Sequence, residues 1–287
     1  MSSSHNGVRR RVVVITGGGT GIGEAVAERY VSEGAQVVIV GRRPGPLEET
    51  AERLGVVAIA GDASDSVSAR SIIDRVTTQF GGIDVLVANA GGYGFAAVGE
   101  TSDTEWDAAI RANLSSAFMM AREALPALLE GNASGSAAPD SGLGRSQGKE
   151  IVIVSSLAGL FAGPSVAGYT VGKHALIGLT RSLARDYGRR GVRVNAVCPG
   201  WVRTPMADAE MDEFVAHMPD LRDRDEGYVA VTRDVPLGRA AEPSEIASVI
   251  RFLGSAESSY MTGAVLVVDG GAHIVDLPTL AFEHAGM

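Results

Sequence analysis

Short apolar runs alternate along this chain with longer segments in which apolar residues recur at helical spacing. Apolar runs that end at glycine, proline or aspartate are typical of strands buried on both faces, and such strands form parallel sheets. The pattern predicts seven strands, at 12–15, 36–40, 56–60, 83–88, 151–154, 192–197 and 264–268. Because a helical segment separates most successive strands, the predicted fold class is α/β, a doubly wound seven-stranded parallel sheet with helices on both faces.

Helices are expected between these strands wherever the apolar spacing and the capping residues agree. They are predicted at 22–33, at 46–54, at 66–80, after a cap at Asp103 or Thr104, through Tyr169 to Leu183, and from Pro243 to Leu253. Asn113 interrupts the fourth of these helices. Asn is unfavourable inside a helix, so this residue predicts either a local kink or a polar role.

The alternation predicts a single domain over residues 9–272, between a flexible N-terminal tail at 1–8 and a C-terminal tail at 273–287 that covers either the site or a neighbouring subunit. Residues 131–149 are rich in Gly, Ser, Ala and Pro without periodicity, which predicts a surface loop insertion. A linker between two domains is the alternative, but the alternation resumes directly afterwards. Residues 201–236 combine helical fragments with Met, Asp and Arg and are predicted to be a substrate lid.

The first strand and the first helix are joined by Thr16-Gly17-Gly18-Gly19-Thr20-Gly21-Ile22-Gly23. Glycines permit positive φ and let a ligand approach the backbone, while a helix N-terminus offers unpaired N–H groups and a partial positive charge. This strand–turn–helix unit predicts pyrophosphate binding in a Rossmann-type fold. Glycine-rich turns also occur as plain structural turns, so the motif alone leaves both interpretations open.

The end of the second strand bears on which dinucleotide binds. In dinucleotide-binding units an acidic residue about 20 positions past the glycines bonds the adenosine ribose, whereas an Arg nearby accommodates a 2′-phosphate. Gly41 stands at that position, and Arg42 and Arg43 follow it. Arginines can form charge-assisted bonds with a phosphate. The sequence therefore favours NADP(H), with NAD(H) as the alternative if both arginines are simply solvated.

Other polar residues lie where predicted strands end, the edge at which open parallel sheets bind ligands. Asp62 and Ala63 follow the third strand, and Asp62 is expected either to contact the adenine or to form a turn. Asn89, Ala90 and Gly91 follow the fourth strand. We expect all five residues at the cofactor edge of the sheet.

Ser156 follows the fifth strand, and Tyr169 and Lys173 lie four positions apart on the next predicted helix. Residues at this spacing share one helical face, so the phenol and the ammonium group project together. A tyrosine with a pKa near 10 is a poor base at neutral pH, but an adjacent ammonium group favours the phenolate. From spacing alone, an ordinary helix-surface pair is the better interpretation. Ser156 and the glycine-rich turn make acid–base chemistry the favoured one.

Composition and charge exclude several classes of function. The net charge of −9 argues against nucleic acid or an anionic membrane as the main partner, because both require a basic surface. The apolar run after Arg11 is too short for a signal-peptide core or a membrane span. Cys198 is the one cysteine, is expected in the core, and fits a cytoplasmic location. The five histidines lack metal-ligand spacing, so no metal site is predicted.

Together these features resemble the short-chain dehydrogenase/reductase family from about residue 11 to residue 271. The matching motifs are Thr16-Gly17-xxx-Gly21-x-Gly23, Asn89-Ala90-Gly91, Asn113, Ser156, Tyr169-xxx-Lys173, Pro199-Gly200 and Val268-Asp269-Gly270-Gly271. Each motif alone is weak or moderate; their order and spacing, including the thirteen positions from Ser156 to Tyr169, carry the resemblance. The chain departs from the family pattern at Ala88, where an Asn is frequent, and in the insertion at 131–149.

The resemblance implies four catalytic residues. Tyr169 would exchange a proton with the substrate oxygen, Ser156 would bond the substrate carbonyl, Asn113 would keep a relay water, and Lys173 would hold the nicotinamide ribose. The expected cofactor contacts are Gly17, Gly19, Thr20, Gly21, Ile22, Gly23, Arg42, Arg43, Asp62, Ala63, Asn89, Ala90, Gly91, Tyr169, Lys173, Pro199, Gly200, Val202 and Thr204. The last two would meet the nicotinamide carboxamide or else simply anchor the lid.

The function implied is an oxidoreductase that transfers a hydride between NADP(H) and a carbonyl/secondary alcohol substrate, as a homo-oligomer that is either a tetramer or a dimer. An NAD(H)-dependent alcohol dehydrogenase of the same fold is one alternative. A non-catalytic nucleotide-sensing module is another, disfavoured because sensing needs no complete Ser, Tyr and Lys set. An epimerase or dehydratase of the extended relatives is disfavoured because those have a different glycine spacing and a larger C-terminal domain.

Overall fold

The computed structural model describes residues 10–92, 94–130 and 148–287. The predicted tail at 1–8 and residues 131–147 of the predicted insertion lie outside the described residues. The strands are β1 Val12–Thr16, β2 Gln36–Gly41, β3 Val57–Ala60, β4 Val85–Ala88, β5 Lys149–Val154, β6 Val192–Pro199 and β7 Val265–Val268. The helices are α1 Gly21–Ser32, α2 Pro44–Leu54, α3 Ser66–Phe80, α4 Asp103–Ile110, α5 Ser116–Glu130, α6 Ala167–Tyr187, α7 Pro205–Ala216, α8 Arg224–Thr232, α9 Pro243–Leu253 and α10 Leu280–His284.

The seven strands form one parallel sheet in the order β3-β2-β1-β4-β5-β6-β7. The chain begins near the middle of the sheet and winds outwards in both directions, so the order reverses between β1 and β4. Ligands of open α/β sheets bind outside the carboxyl ends of the strands at such a switch point. The doubly wound sheet predicted from the apolar pattern is confirmed.

Two apolar layers cover the sheet because successive strand residues point to opposite faces. Val12 and Val14 belong to the layer formed with α3, α5 and α6, whereas Val13 and Ile15 belong to the layer formed with α1 and α9. All four side chains are fully buried. A strand covered on both faces shows a continuous apolar run, which is why the strands were recognisable in the sequence.

The start of β5 differs from its prediction. Lys149, assigned above to the loop insertion, is the first residue of the strand and is buried. Its ammonium group donates to Asp84 Oδ1 at 2.7 Å and to the Ile83 carbonyl at 2.7 Å. A buried charge needs such a partner, and this one lies 65 residues away in sequence.

Two further local predictions are corrected. Ser102, and not Asp103 or Thr104, caps α4, with its hydroxyl accepting from the Glu105 N–H in a capping box. The region 201–236 is more regular than predicted, because it contains α7 and α8. These two helices pack together around Met211 and Tyr228.

The C-terminal tail lies against the end of the 201–236 region. His284 Nε2 of the tail is 3.1 Å from Asp234 Oδ1. Gly271, which precedes the tail, approaches the ring of Pro236 so closely that a Cβ on it would lie 2.8 Å from that ring. Within the described ranges, no helix is both long enough and apolar enough to cross a membrane.

Candidate active site

The glycine-rich turn lies at the carboxyl end of β1, at the switch point of the sheet. Gly17 and Gly21 have φ of 66° and 58°, a region that favours glycine. A Cβ on Gly23 would overlap the Gly17 carbonyl oxygen, and one on Gly19 would lie 3.1 Å from the Leu47 backbone. The Thr20 side chain does not cap α1. The turn is therefore a backbone cradle at a helix N-terminus, which fits a pyrophosphate.

Asn89 joins this turn to the end of β4. Its side-chain Nδ2 donates to the Thr16 carbonyl at 3.0 Å and to the Gly17 carbonyl at 3.2 Å. The backbone N–H groups of Asn89 and Ala90 both donate to Thr16 Oγ1 at 3.0 Å. The Asn89 amide nitrogen thus fixes the shape of the glycine turn from inside the protein.

The adenosine end of the predicted site is open at Gly41. A Cβ there would meet only Leu47 Cδ1, at 3.4 Å, so glycine is not required by packing. Arg42 and Arg43 are exposed, and neither has a side-chain hydrogen bond or ion pair within the described residues. Ala63 is buried in the core, so only its backbone can meet a ligand.

Asp62 forms a turn and also lies near two cations. Its Oδ1 accepts from the Ser64 N–H at 2.9 Å and from the Ser64 hydroxyl at 2.7 Å. Burial opposes ionisation, but the Ser64 bonds and the positive charges of Arg42 and Arg111 hold the pKa of Asp62 below its ordinary value. The sequence analysis did not predict that Arg111 lies near Asp62. The available signal was that Arg111 precedes the candidate site residue Asn113 by two positions.

Asn113 lies in one turn of π-helix, Arg111–Ser115, between α4 and α5. The side chain is fully buried; its Oδ1 accepts from the Gly92 N–H at 2.8 Å and its Nδ2 donates to the Ala109 carbonyl at 3.0 Å. A π-turn places one extra residue in a helical turn and is frequent at functional sites. Both a helix irregularity and a polar role, predicted as alternatives, are present.

Lys173 reaches the same place from α6. Its side chain is 3% exposed, and its Nζ donates to the Val154 carbonyl at 3.0 Å. Burial lowers the pKa of Lys173 to about 8. A Cβ on Gly91 would lie 3.0 Å from both this Nζ and Asn113 Oδ1, so the absence of a side chain at Gly91 lets the two groups converge.

The Ser156 hydroxyl acts on the Tyr169 phenol and lowers its pKa, so the two side chains lie close together, and Lys173 Nζ lies 5.5 Å from the Tyr169 ring centroid. The ring of Phe95 is 5.5 Å from that of Tyr169. Burial raises the pKa of Tyr169, while the Ser156 hydroxyl opposes the rise and the charge of Glu210 adds to it. In the protein without cofactor, burial therefore keeps the pKa of Tyr169 above its ordinary value, and Lys173 does not contribute the lowering that was predicted.

The remaining predicted contacts follow β6. Gly200 donates to the Val268 carbonyl at 3.0 Å and is packed against Asp269. Val202 forms a β-bridge with Ala241, and its side chain is buried in the core. Thr204 caps α7, and its methyl group lies so close to Gly21 that a Cβ on Gly21 would be 3.0 Å from it. Val202 therefore anchors the lid through its side chain, and Thr204 lies beside the glycine turn.

Sequence reasoning missed Glu210 of α7, whose negative charge acts on Tyr169. A carboxylate in an irregular region carries no spacing signal that would have identified it. Among the described residues, no group of three or more His, Cys, Asp or Glu side chains is arranged to hold a metal ion. Cys198 is buried, as predicted.

Known proteins resemble this chain over nearly its whole length. A family model described as enoyl-(acyl carrier protein) reductase matches residues 17–273. Protein MoaE of Klebsiella aerogenes is 42% identical over 272 residues, which cover 95% of this chain and 99% of that protein. Meso-2,3-butanediol dehydrogenase of Serratia marcescens is 35% identical over 93% of this chain and 96% of its own. The solved structure of ligand-free aldohexose dehydrogenase of Thermoplasma acidophilum superposes with a TM-score of 0.81 at 32% identity, covering 94% of this chain and 96% of that one.

Proposed function

The chain belongs to the short-chain dehydrogenase/reductase family and is an oxidoreductase of alcohol and carbonyl substrates that uses a nicotinamide dinucleotide; from this premise we propose NADP(H) as the cofactor and Tyr169 as the general acid/base. One observation carries the proposal. Ser156 and Tyr169, the buried Lys173 and the buried Asn113 converge beside a glycine cradle at one edge of the sheet.

The residues present fit a dinucleotide. In the proposed arrangement the glycine turn holds the pyrophosphate, Lys173 meets the nicotinamide ribose, and the backbone near Val202 and Thr204 meets the carboxamide. The bound nicotinamide supplies or accepts the hydride. Asp62, Ala63, Ala90, Gly91, Pro199 and Gly200 complete the proposed contacts, with Asn89 acting through the turn that it fixes.

Protein groups move the proton. In carbonyl reduction Tyr169 donates its hydroxyl proton to the substrate oxygen while Ser156 holds that oxygen by a hydrogen bond. The raised pKa of Tyr169 suits this direction because it keeps the phenol protonated in the protein. Asn113, whose Oδ1 accepts from the Gly92 N–H beside the catalytic groups, is the residue proposed to hold a relay water.

The preference for NADP(H) rests on charge at the adenosine end. There is no carboxylate at position 41, and Arg42 is exposed and without an ion-pair partner in the described chain. Two features favour the NAD(H) alternative: Asp62 lies near Arg42, and Thr20 stands where many NADP-preferring relatives carry a second basic residue. A single domain over 9–272 with a lid at 201–236 is proposed from the pattern of strands and helices, and a cytoplasmic location from the single cysteine. Assembly as a dimer or tetramer is proposed from the family resemblance.

Turnover of ketones and secondary alcohols with both cofactors tests the proposal. The absorbance of the reduced nicotinamide reports turnover. We expect turnover with NADP(H), and with NAD(H) a kcat/KM that is about ten- to a hundred-fold lower. Binding of the nucleotide without turnover of any substrate would instead support the nucleotide-sensing alternative.

A further inference from the structure

Helix α7 crosses the ligand edge at its first turn. The Met206 sulfur occupies the space that a Cβ on Gly92 would fill, one residue from Gly91, where Lys173 and Asn113 converge. On another side of α7, Ala207 and Met211 are buried against Tyr228 of α8. The helix is therefore held with its Met206 side towards the catalytic groups.

Glu210 lies one turn after Met206 on that same side, since residues four apart share a helical face. Its negative charge raises the pKa of Tyr169, so the carboxylate lies within electrostatic reach of the Tyr169 phenol. The side chain is half-buried. Within the described residues it has no hydrogen-bond or ion-pair partner.

The other acids in this part of α7 differ from Glu210. Asp208 accepts from the Tyr228 hydroxyl and pairs with Arg224, and Asp212 also pairs with Arg224. Burial and the charge of Glu213 both raise the pKa of Glu210. A half-buried carboxylate is unfavourable unless a donor satisfies it, and an ionised carboxylate only accepts hydrogen bonds.

We propose that Glu210 determines substrate specificity, by binding a hydrogen-bond donor, a hydroxyl or an ammonium group, on the part of the substrate that extends from the reacting carbon towards α7. The same charge excludes substrates that carry a carboxylate there. This inference rests on the proposed function, because it assumes that the reacting carbon lies at Tyr169. Glu210 would thus require a polar group on the substrate at a site where the exposed side chains of Phe95 and Met206 are apolar.

Four ketones of equal chain length test it, differing only in the group beside the carbonyl: hydrogen, hydroxyl, ammonium or carboxylate. At pH 7 the unaltered enzyme is expected to show the highest kcat/KM for the hydroxyl and ammonium ketones and the lowest for the carboxylate. Glu210→Gln removes the charge but keeps the size and an amide oxygen. In this variant the kcat/KM for the ammonium ketone should fall about tenfold or more, and the kcat/KM for the carboxylate ketone should rise by a similar factor. The kcat/KM for the hydroxyl ketone should change least.

Glu213→Gln is the matched control, because it removes the same charge from an exposed position of the same helix. It should leave the substrate ranking unchanged. An identical ranking in Glu210→Gln and the unaltered enzyme would overturn the inference while leaving the proposed function intact. Failure of the folded, nucleotide-bound enzyme to turn over any of the four ketones, or their alcohols, would overturn the proposed function and the inference together.

Discussion

Lys173 shows that a residue can be placed for chemistry at a cost in stability. Its ammonium group is buried, has one hydrogen bond to the Val154 carbonyl, and has its pKa lowered from 10.5 to about 8. A lowered lysine pKa means that the folded protein holds the proton less tightly than the unfolded chain. This residue therefore destabilises the fold below about pH 8, and the penalty disappears as the pH rises towards 10.5.

Lys173→Met should accordingly stabilise the protein at pH 7, by up to about 3 kcal/mol in the free energy of unfolding. The gain should shrink between pH 8 and the highest pH at which both proteins remain folded, and turnover should be lost. Urea unfolding across this pH range measures it. Lys149→Met is the control. Because the Lys149 ammonium group is paired with the buried Asp84, this substitution should lower the free energy of unfolding over the whole pH range. A gain for Lys173→Met that does not change with pH would contradict the assigned cause.

Cofactor preference is also decided by single residues. Both dinucleotides share the pyrophosphate, so discrimination arises at the adenosine 2′ position. Gly41→Asp adds an acceptor for ribose hydroxyls, and packing leaves room for it. Combined with Arg42→Ala, it should invert the preference from NADP(H) to NAD(H), a change of about ten- to a hundred-fold in each direction. KM values for both cofactors check this; an unaltered enzyme with lower KM for NAD(H) would mean that Arg42 and Arg43 face only solvent.

At the scale of elements, the π-turn between α4 and α5 determines where Asn113 lies. In this turn, which has one extra residue, the Asn113 side chain donates a hydrogen bond to the Ala109 carbonyl and accepts one from the Gly92 N–H. One side chain thereby ties the helix to the loop after β4. The π-turn thus positions the loop residues next to Gly91 through the bond between Asn113 and Gly92.

Asn113→Ala should leave the Gly92 N–H without its acceptor and cost about 1–3 kcal/mol in the free energy of unfolding. Ser116→Ala, nearby on α5, removes a hydroxyl that donates to the Ala112 carbonyl at 2.7 Å, so no N–H group loses its acceptor. Its cost should be under about 1 kcal/mol. Denaturant unfolding of both variants compares them. Equal costs would show that the Gly92 bond contributes little.

Elements whose signal is local were predictable, and those that depend on distant partners were not. Continuous apolar runs identified all seven strands, and the four-residue spacing of Tyr169 and Lys173 predicted that their side chains lie together on α6. The start of β5 was missed because Lys149 pairs with a residue 65 positions away. Helices α7 and α8 pack mainly on each other rather than on the sheet, so their apolar residues form no broad periodic face. Glu210 was missed for the same reason.

Across the whole molecule, the two ends of the sheet have different tasks. The carboxyl edge holds the proposed catalytic groups, whereas the amino ends of β1, β5 and β6 are joined by ion pairs. Glu150 is 1% exposed and binds Arg11 on one side and Arg193 on the other. Burial raises the pKa of Glu150, and the two guanidinium groups oppose that rise. This network is structural, because it lies at the edge opposite the cofactor cradle.

Glu150→Leu should therefore lower stability without altering catalysis. Two partly buried arginines would lose their carboxylate, which costs about 3–5 kcal/mol when one partner of a buried pair is removed. Below the lowered unfolding temperature, kcat/KM should match that of the unaltered enzyme. Thermal unfolding and steady-state kinetics on the same samples separate the two effects. A fall in kcat/KM in the fully folded variant would link this network to the site.

Replacing the Tyr169 hydroxyl tests the proposed proton transfer most directly. Tyr169→Phe keeps the ring, so NADPH should bind with an unchanged Kd by fluorescence titration. Ketone turnover should fall by about 10² to 10⁴ in kcat, the usual loss when a general acid/base is removed. Tyr187→Phe, at the other end of α6, serves as the control and should keep full activity. Near-full turnover by Tyr169→Phe would contradict the role proposed for this residue.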